Sequence, residues 1–355
     1  MYLGIDIGGS KTLLALFSDK GKLRKKLKFK TDQNPEQFSQ DLKRNLSRFF
    51  PKNSFFNYSL DAVVVAIAAT VDSTYHTDPS IFAAYYNKYL FDSGVSPKTT
   101  PKFNLTRPTT FGKPKEYGNL PWKGFNFVST IEDCITFLFR NNRVKLSPSA
   151  PKLTISDTVK YSRVFPRICP IYIQNDANLA AFFEAKRRTG KSIYLTYSTG
   201  IGAGIMENGK LTPESDSFEP GHRKYTWQGK RLEYEDIAGA KAIEIYYEDK
   251  QKRLYPNKKP KKVIATSLRG KEVYQDMALR ISIGLVDIIK EQNPDHIIIG
   301  GALGLQLKNF RRYLLPILAI SLNCDKESLP DITAAKFPLE SVVHGCYLYG
   351  KANSR

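Results

Sequence analysis

Hydrophobic and polar residues change their spacing repeatedly along this chain, and each change marks an element. Residues 2–7 (YLGIDI) read as a strand, Gly8-Gly9-Ser10-Lys11-Thr12 as a tight turn, and Leu13 to Phe17 as the returning strand. Asp19-Lys20-Gly21-Lys22 turns again, into a strand around Leu27 to Phe29. From Pro35, residues Phe38, Leu42, Leu46 and Phe49 recur on one helical face. Ala62 to Ala69 is an unbroken apolar run, the pattern of a strand buried on both faces. This β-β-β-α-β order predicts a mixed sheet with helical cover.

The pattern then lapses. Residues 73–118 are rich in Thr, Lys and Tyr and are broken by Pro79, Pro97, Pro101, Pro108 and Pro114. They read as an extended insertion over the surface, with short helical turns near Phe82 to Leu90; residues 141–169 form a second irregular stretch. Between them, Ser129-Thr130-Ile131-Glu132 has the form of a capping box ahead of Cys134, Ile135, Leu138 and Phe139. Order returns with the strand Ile171-Tyr172-Ile173, which runs through Gln174-Asn175-Asp176 into a helix at 178–187. A strand from Ser192 to Tyr197, a glycine-rich segment from Ser198 to Gly204 and a hairpin turn at Glu207-Asn208-Gly209-Lys210 follow. Helices are predicted at about 235–248 and 271–291, then a strand from His296 to Ile299, a turn at Gly300-Gly301-Ala302 and a helix from Ser341 to Tyr349.

Composition adds limits. At 355 residues, 41% hydrophobic and 25% charged, the chain is read as a soluble globular protein of two domains. No apolar run nears the roughly 20 residues that span a bilayer, and no basic n-region precedes Tyr2, so cytoplasm is the expected location. Cys134, Cys169, Cys324 and Cys346 lack paired spacing and read as buried thiols. The net charge of +20 gathers at Lys22–Lys30 and between Lys250 and Lys262. No nucleic-acid-binding motif accompanies it, so a solvated surface is favoured over a nucleic-acid or polymer partner.

Chemistry enters at Asp176, a carboxylate at the end of a buried strand where a helix begins, beside that helix's free N–H groups. Taken alone it reads more readily as a plain N-cap. Around it stand three glycine turns. Gly8-Gly9-Ser10-Lys11-Thr12 lets backbone N–H groups close on an oxyanion, although its spacing is not that of a Walker A loop. Ser198 to Gly204 repeats that design beside a pair of hydroxyls, and Gly300-Gly301 permits close approach by a nucleoside. With Asp6 in the first strand, the set points to nucleotide-dependent phosphoryl transfer.

In their order the segments GIDIGGSKT (4–12), NLPWKGF (119–125), IQNDANLAA (173–181), TYSTGIGAGI (196–205), EPGH (219–222), YEDIAGAKAI (234–243) and PDHIIIGGALG (294–304) resemble the ROK family of sugar kinases and repressors. The resemblance implies a two-lobed α/β fold of the actin/hexokinase/Hsp70 ATPase (ribonuclease H-like) type, with ATP and sugar in the cleft. It implies an N-terminal lobe at 1–172, carrying both insertions, and a C-terminal lobe at 173–339; the helix at about 340–355 packs back on the first. Asp176 would be the general base, aligned by Asn175. Asp6 would hold Mg²⁺ mostly through water. Gly8, Gly9, Ser10, Lys11 and Thr12 with Thr199, Gly200 and Gly202 would cradle phosphates, and Gly300 and Gly301 would lie against the adenosine. Glu219, His222 and Glu235 match sugar-contacting positions, with Glu233 a rival for the last.

Three departures accompany the resemblance. Ile67-Ala68-Ala69-Thr70-Val71-Asp72 lacks the Pro-Gly bend that many members carry there. Residues 223–234 (RKYTWQGKRLEY) contain no cysteine where many members hold zinc, so no zinc site is expected and packing must order the loop. The two insertions are not part of the usual core. The first strand starts at residue 2, so no DNA-binding domain is expected. A homodimer stays open. The expected function is ATP- and Mg²⁺-dependent phosphorylation of a hexose such as glucose, or of an N-acylhexosamine. The alternatives are a non-catalytic sugar or nucleotide sensor and a glucokinase that uses polyphosphate.

Overall fold

The structure, a computed structural model, describes residues 1–52, 58–76, 110–117, 120–141, 143–146, 169–257 and 261–354. The chain divides into two compact units, Met1–Asp176 with Cys346–Arg355, and Ala177–Gly345.

The first unit contains β1 (Tyr2–Ile7), β2 (Lys11–Phe17), β3 (Leu23–Lys30), α1 (Pro35–Phe49), the short β4 (Ser59–Leu60), β5 (Ala62–Ile67), β6 (Ala69–His76), β7 (Thr110–Tyr117), α2 (Phe127–Arg140), the short β8 (Lys145–Leu146) and β9 (Ile171–Asn175). One sheet takes the order β3-β2-β1-β5-β9-β7-β6. At its centre β1, β5 and β9 run parallel. All six residues of β5 are buried, as the unbroken apolar run requires. Val63, Val65 and Ile67 join Ile5, Phe38, Leu42, Leu46 and Ile135 in one core. Val64 on the opposite face meets Gly350, where an added Cβ would lie 2.9 Å from Val64 Cγ2. Helix α1 starts as the sequence predicts: Pro35 is in its first turn, and Asn34 Oδ1 accepts from the backbone N–H groups of Glu36 (2.9 Å) and Gln37 (3.0 Å).

Several expectations change. Strand β2 begins at Lys11 rather than Leu13, so the turn is shorter. Both ends of the supposed insertion at 73–118 are strands: β6 and β7 pair antiparallel, and β7 also pairs with β9. Pro114 is tolerated because it faces Val71 where the register already shifts, so its missing N–H breaks no regular ladder. The helical turns expected near Phe82 to Leu90, and most of 141–169, fall outside the described residues. The capping box is displaced. Helix α2 starts at Phe127, because Asn126 Oδ1 accepts from Ser129 N–H at 3.2 Å, and Glu132 instead accepts from the Thr110 hydroxyl at 2.7 Å.

The second unit's elements are α3 (Asp176–Ala185, its first residue belonging to the first unit), β10 (Lys191–Tyr197), β11 (Ile201–Glu207), β12 (Lys210–Leu211), β13 (Lys224–Trp227), β14 (Lys230–Glu233), α4 (Tyr234–Ala238), α5 (Ala240–Leu254), α6 (Lys271–Gln292), β15 (His296–Gly300), α7 (Gly301–Gly304), α8 (Leu307–Leu322), β16 (Asp331–Ala334) and the first turn of α9 (Ser341–Asn353), which belongs to the first unit from Cys346 onward. Its main sheet is ordered β12-β11-β10-β15-β16. Asn208 and Gly209 both take positive φ, 47° and 77°, which the β11–β12 hairpin turn needs. The helix expected over 235–248 is two helices. Gly239 leaves the helical region (ψ 147°) between them, and a side chain there would meet Glu235 O at 2.5 Å and Thr199 O at 3.2 Å, so the junction needs glycine. Helix α9 runs on to Asn353, four residues beyond the apolar pattern that suggested it.

Candidate functional site

Two carboxylates define the first part of the site. Asp6 is the penultimate residue of β1, aligned with Ala66 of β5, which is aligned with Gln174 of β9. Asp176 follows β9 directly and lies in the first turn of α3. Both therefore stand at the carboxyl ends of parallel strands of one sheet, with β5 between them, where α/β sheets bind ligands. Burial pushes the Asp6 carboxyl up to about 7, the negative charge of Asp176 adds to the rise, and Lys28 opposes it. Two oxygen donors whose mutual repulsion raises a pKa suit a hard divalent cation, so the chemistry of the pair fits Mg²⁺. Asn175 points elsewhere: its side-chain N–H donates to Ala69 O at 3.0 Å. That contact occupies the segment lacking the Pro-Gly bend, where Ala68 alone separates β5 from β6.

The first glycine turn links β1 to β2. Gly8 N–H donates to Lys11 O at 3.0 Å, and the Gln33 amide donates to Gly9 O at 2.6 Å. Ser10 and Lys11 are exposed. Thr12 is fully buried, its hydroxyl 2.8 Å from that of Thr31, so it belongs to the turn's foundation rather than its open face. The second turn leaves Thr199 exposed, with Ser198 N–H donating to Gly200 O at 3.0 Å. Thr199, Glu235, Asp236, Lys241, Ala242 and Ile245 line a pocket of ≈ 180 Å³. Gly202 has a second duty, since a Cβ there would stand 3.3 Å from Ala177 Cβ; at Gly204 it would stand 2.7 Å from Ala181 Cβ. These glycines let α3 lie close on β11.

Gly300 and Gly301 are both buried. A Cβ on Gly300 would collide with the Tyr194 ring, and Gly301 (φ +69°) abuts Tyr197 O and Ser198 Oγ. Close approach at this turn is thus made by the chain's own residues.

Glu219, His222, Glu233 and Glu235 gather in the second unit. His222 Nδ1 lies 3.0 Å from Glu233 Oε2, and Glu235 Oε2 accepts from Ile201 N–H at 3.2 Å. The hydrogen bond to Glu233 raises the His222 pKa; the charges of Glu235 and Glu219 act in the same direction, and partial burial opposes them. His222, Glu233 and Glu235 could each offer one ligand atom within 4.8 Å of the others. An imidazole with two carboxylates is not the thiolate set of a structural zinc site. Residues 223–234 are instead a hairpin, β13 on β14, with Gln228 and Gly229 at positive φ in its turn. Arg223 pairs with Glu291 at 2.7 Å, and the Arg280 guanidinium lies 5.2 Å from the Trp227 ring and 4.3 Å from that of Tyr246.

Two contributors escape sequence reasoning. Asn178 is fully buried, donates to Asp216 Oδ1 at 3.1 Å and accepts from the Ser215 hydroxyl, which in turn accepts from Ile205 N–H at 2.7 Å. An asparagine on the apolar face of a helix was the signal. Arg280 gave one too, as a charge among the apolar positions of α6, but its aromatic partners are distant in sequence.

Comparison with known proteins supplies a family. Residues 166–345, just over half of the 355, match the ROK family. The chain belongs to it. This ROK protein is 27% identical to the xylose repressor of Bacillus subtilis (strain 168) over 142 residues, 37% of each chain, and so spans well under half of that relative's length. Its fold matches a ROK family glucokinase from Streptomyces griseus, solved in complex with glucose and AMPPNP, at TM-score 0.64 and 16% identity over 99% of both chains. It also matches an inorganic polyphosphate/ATP-glucomannokinase from Arthrobacter sp. strain KM at TM-score 0.53 and 16% identity, over 99% of this chain and 98% of that one. At such identities the matches show the fold alone, a mixed α/β one. Among the described residues, no helix is long and apolar enough to cross a membrane.

Proposed function

We propose that this protein is a cytoplasmic sugar kinase that transfers the γ-phosphoryl group of ATP to a hydroxyl of a hexose such as glucose, or of an N-acylhexosamine. The observation that carries the reading is the pair Asp6 and Asp176, two carboxylates close enough for one to raise the other's pKa at the carboxyl ends of parallel strands. A sensor has no need of either; a kinase needs both.

Asp176 would accept the proton of the attacking hydroxyl, and its place in the first turn of a helix fixes its direction. Asp6 would hold Mg²⁺ mostly through water; the ion, when bound, offsets the negative charge of the phosphates. The backbone of Gly8 to Lys11, and Thr199 with Gly200, would bind phosphate oxygens. Gly202 would shape the second of these segments, and the turn that Gly300 and Gly301 allow against Tyr194 and Tyr197 would lie beside the adenosine. Glu219, His222 and Glu235 would bind sugar hydroxyls, and Asn175 would steady the β9–α3 junction through Ala69. Phosphoryl transfer asks little covalent chemistry of a protein, so placing these groups is the larger part of catalysis.

A second reading, a non-catalytic sugar or nucleotide sensor, is favoured by the similarity to a xylose repressor. A third keeps the reaction but takes polyphosphate as donor. A coupled assay of ADP release across a panel of hexoses and hexosamines, with direct detection of sugar phosphate when polyphosphate is supplied, separates the three. Turnover on any sugar excludes the sensor, and silence across the panel with tight sugar binding would establish it.

A further inference from the structure

The strand at one edge of the first unit's sheet carries an ordered row of charge. Along β3 exposure alternates: Arg24, Lys26, Lys28 and Lys30 are exposed, while the residues between them are partly buried. Leu27 and Phe29 pack on the core. Lys25 turns with them, its Nζ donating to Phe49 O at 2.6 Å and lying over the Phe49 ring. Alternation on a strand puts the four exposed cations on one face, consecutive ones roughly 7 Å apart. The row has a direction. Lys30 is aligned with Lys11 of the first glycine turn, and Lys28 with Leu13, which is aligned in turn with Asp6.

Charged residues on an edge strand discourage pairing with another sheet, but that role does not require every exposed position to be basic. Among the described residues, Arg24, Lys28, Lys30 and Lys11 form no ion pair with a carboxylate. Lys26 has an interaction of its own, and the charge of Lys28 also acts on Asp6; in the other basic cluster Lys252 pairs with Asp249 at 2.8 Å and Lys250 approaches Glu272 at 3.9 Å. Like charges held in line repel one another until an anion of matching extent lies along them.

We propose that this face of β3 is a docking track for inorganic polyphosphate, with the end of the bound chain directed to the Gly8–Thr12 turn. A row of cations suffices to hold a chain of phosphates. A single-stranded nucleic acid would need aromatic platforms for its bases, and the exposed positions of β3 hold none, the one aromatic residue of the strand, Phe29, facing the core. The end point of the track rests on reading that turn as a phosphate site; docking on β3 stands without it.

The test uses the full chain and long-chain inorganic polyphosphate, with no sugar or nucleotide present. Lysines are acetylated with and without the polymer and read by mass spectrometry. Lys26, Lys28 and Lys30 should be protected several-fold, and Lys250 and Lys252 little changed. Even protection across both clusters would overturn the track in favour of diffuse attraction. As a second measure, Arg24→Gln, Lys26→Gln and Lys30→Gln combined should weaken polyphosphate binding at least tenfold. The variant should also lower the slope of log affinity against log salt by roughly 2, at somewhat under one per cation removed. Tighter binding of an oligo-dT of matched charge than of polyphosphate would overturn the choice of partner. Protection of β3 in a chain that phosphorylates no sugar would sink the kinase reading and leave this one standing.

Discussion

His222 Nδ1 lies 3.0 Å from Glu233 Oε2, closing the open end of the β13–β14 hairpin beside the loop of Glu219. The pair holds while His222 is protonated. Its folded pKa is raised by Glu233, so its contribution is full below about 6.5 and is lost as pH rises through the raised value. Both side chains are substantially exposed, which limits the contribution to under about 1 kcal/mol. Glu233→Gln should lower the melting temperature by a degree or two at pH 6 and leave it unchanged at pH 9. An equal loss at both values would show that the imidazole charge is irrelevant.

The same hairpin bears on zinc. We expect purified protein to contain well under one zinc per chain, and chelator to leave its melting temperature in place. The hairpin's order should depend instead on Arg280, nearly buried, which bonds Asp276 at 2.9 Å and Ile237 O at 3.1 Å besides facing Trp227 and Tyr246. Arg280→Ala should cost roughly 2–4 kcal/mol, as a buried hydrogen-bonded charge and its packing are removed together. Calorimetry with and without chelator checks both statements, and stoichiometric zinc in elemental analysis would contradict the first.

Asp6 carries the clearest pH dependence. Its carboxyl titrates near 7 in the folded chain against 3.8 ordinarily, so between those values the folded state holds a proton that the unfolded state has released. Stability from this group therefore falls as pH rises from about 4 to about 7, then levels. Asp6→Asn should remove that decline, leaving the variant the more stable above pH 7. Mg²⁺ should stabilise the wild type more at pH 8 than at pH 5.5, and the variant at neither. Parallel melting profiles for the two proteins would refute the assignment.

Asp176→Asn keeps the size of the side chain and removes its proton acceptor. We expect a folded protein that still binds sugar and ATP, with turnover reduced at least about a hundred-fold, the usual contribution of a general base. Near wild-type turnover in a stable variant would end the base assignment.

Much of this was legible in the sequence because local signals agreed with one another. The β1–β2 turn, the Asn34-Pro35 helix start and the Asn208-Gly209 hairpin are each set by neighbouring residues. The misreadings occurred where distant residues decide. Glu132 has the form of a capping residue, yet its partner is Thr110, 22 positions away. Gly239 looks tolerable inside a helix until the carbonyls of Glu235 and Thr199 close around it. At the candidate site, residue types and order were readable from motifs. That Thr12 faces inward, that Gly300 is closed off by Tyr194, and that His222 is claimed by Glu233 are matters of packing.

The seat of α3 on β11, through Ala177 and Ala181 against Gly202 and Gly204, leaves no slack of even a methyl group. Close seating of this kind opposes rolling of the helix about its axis, and the direction in which Asp176 points is an angle about that axis. The aim of the carboxylate is thereby entrusted to four of the smallest residues in the chain, none of which needs any reactivity of its own.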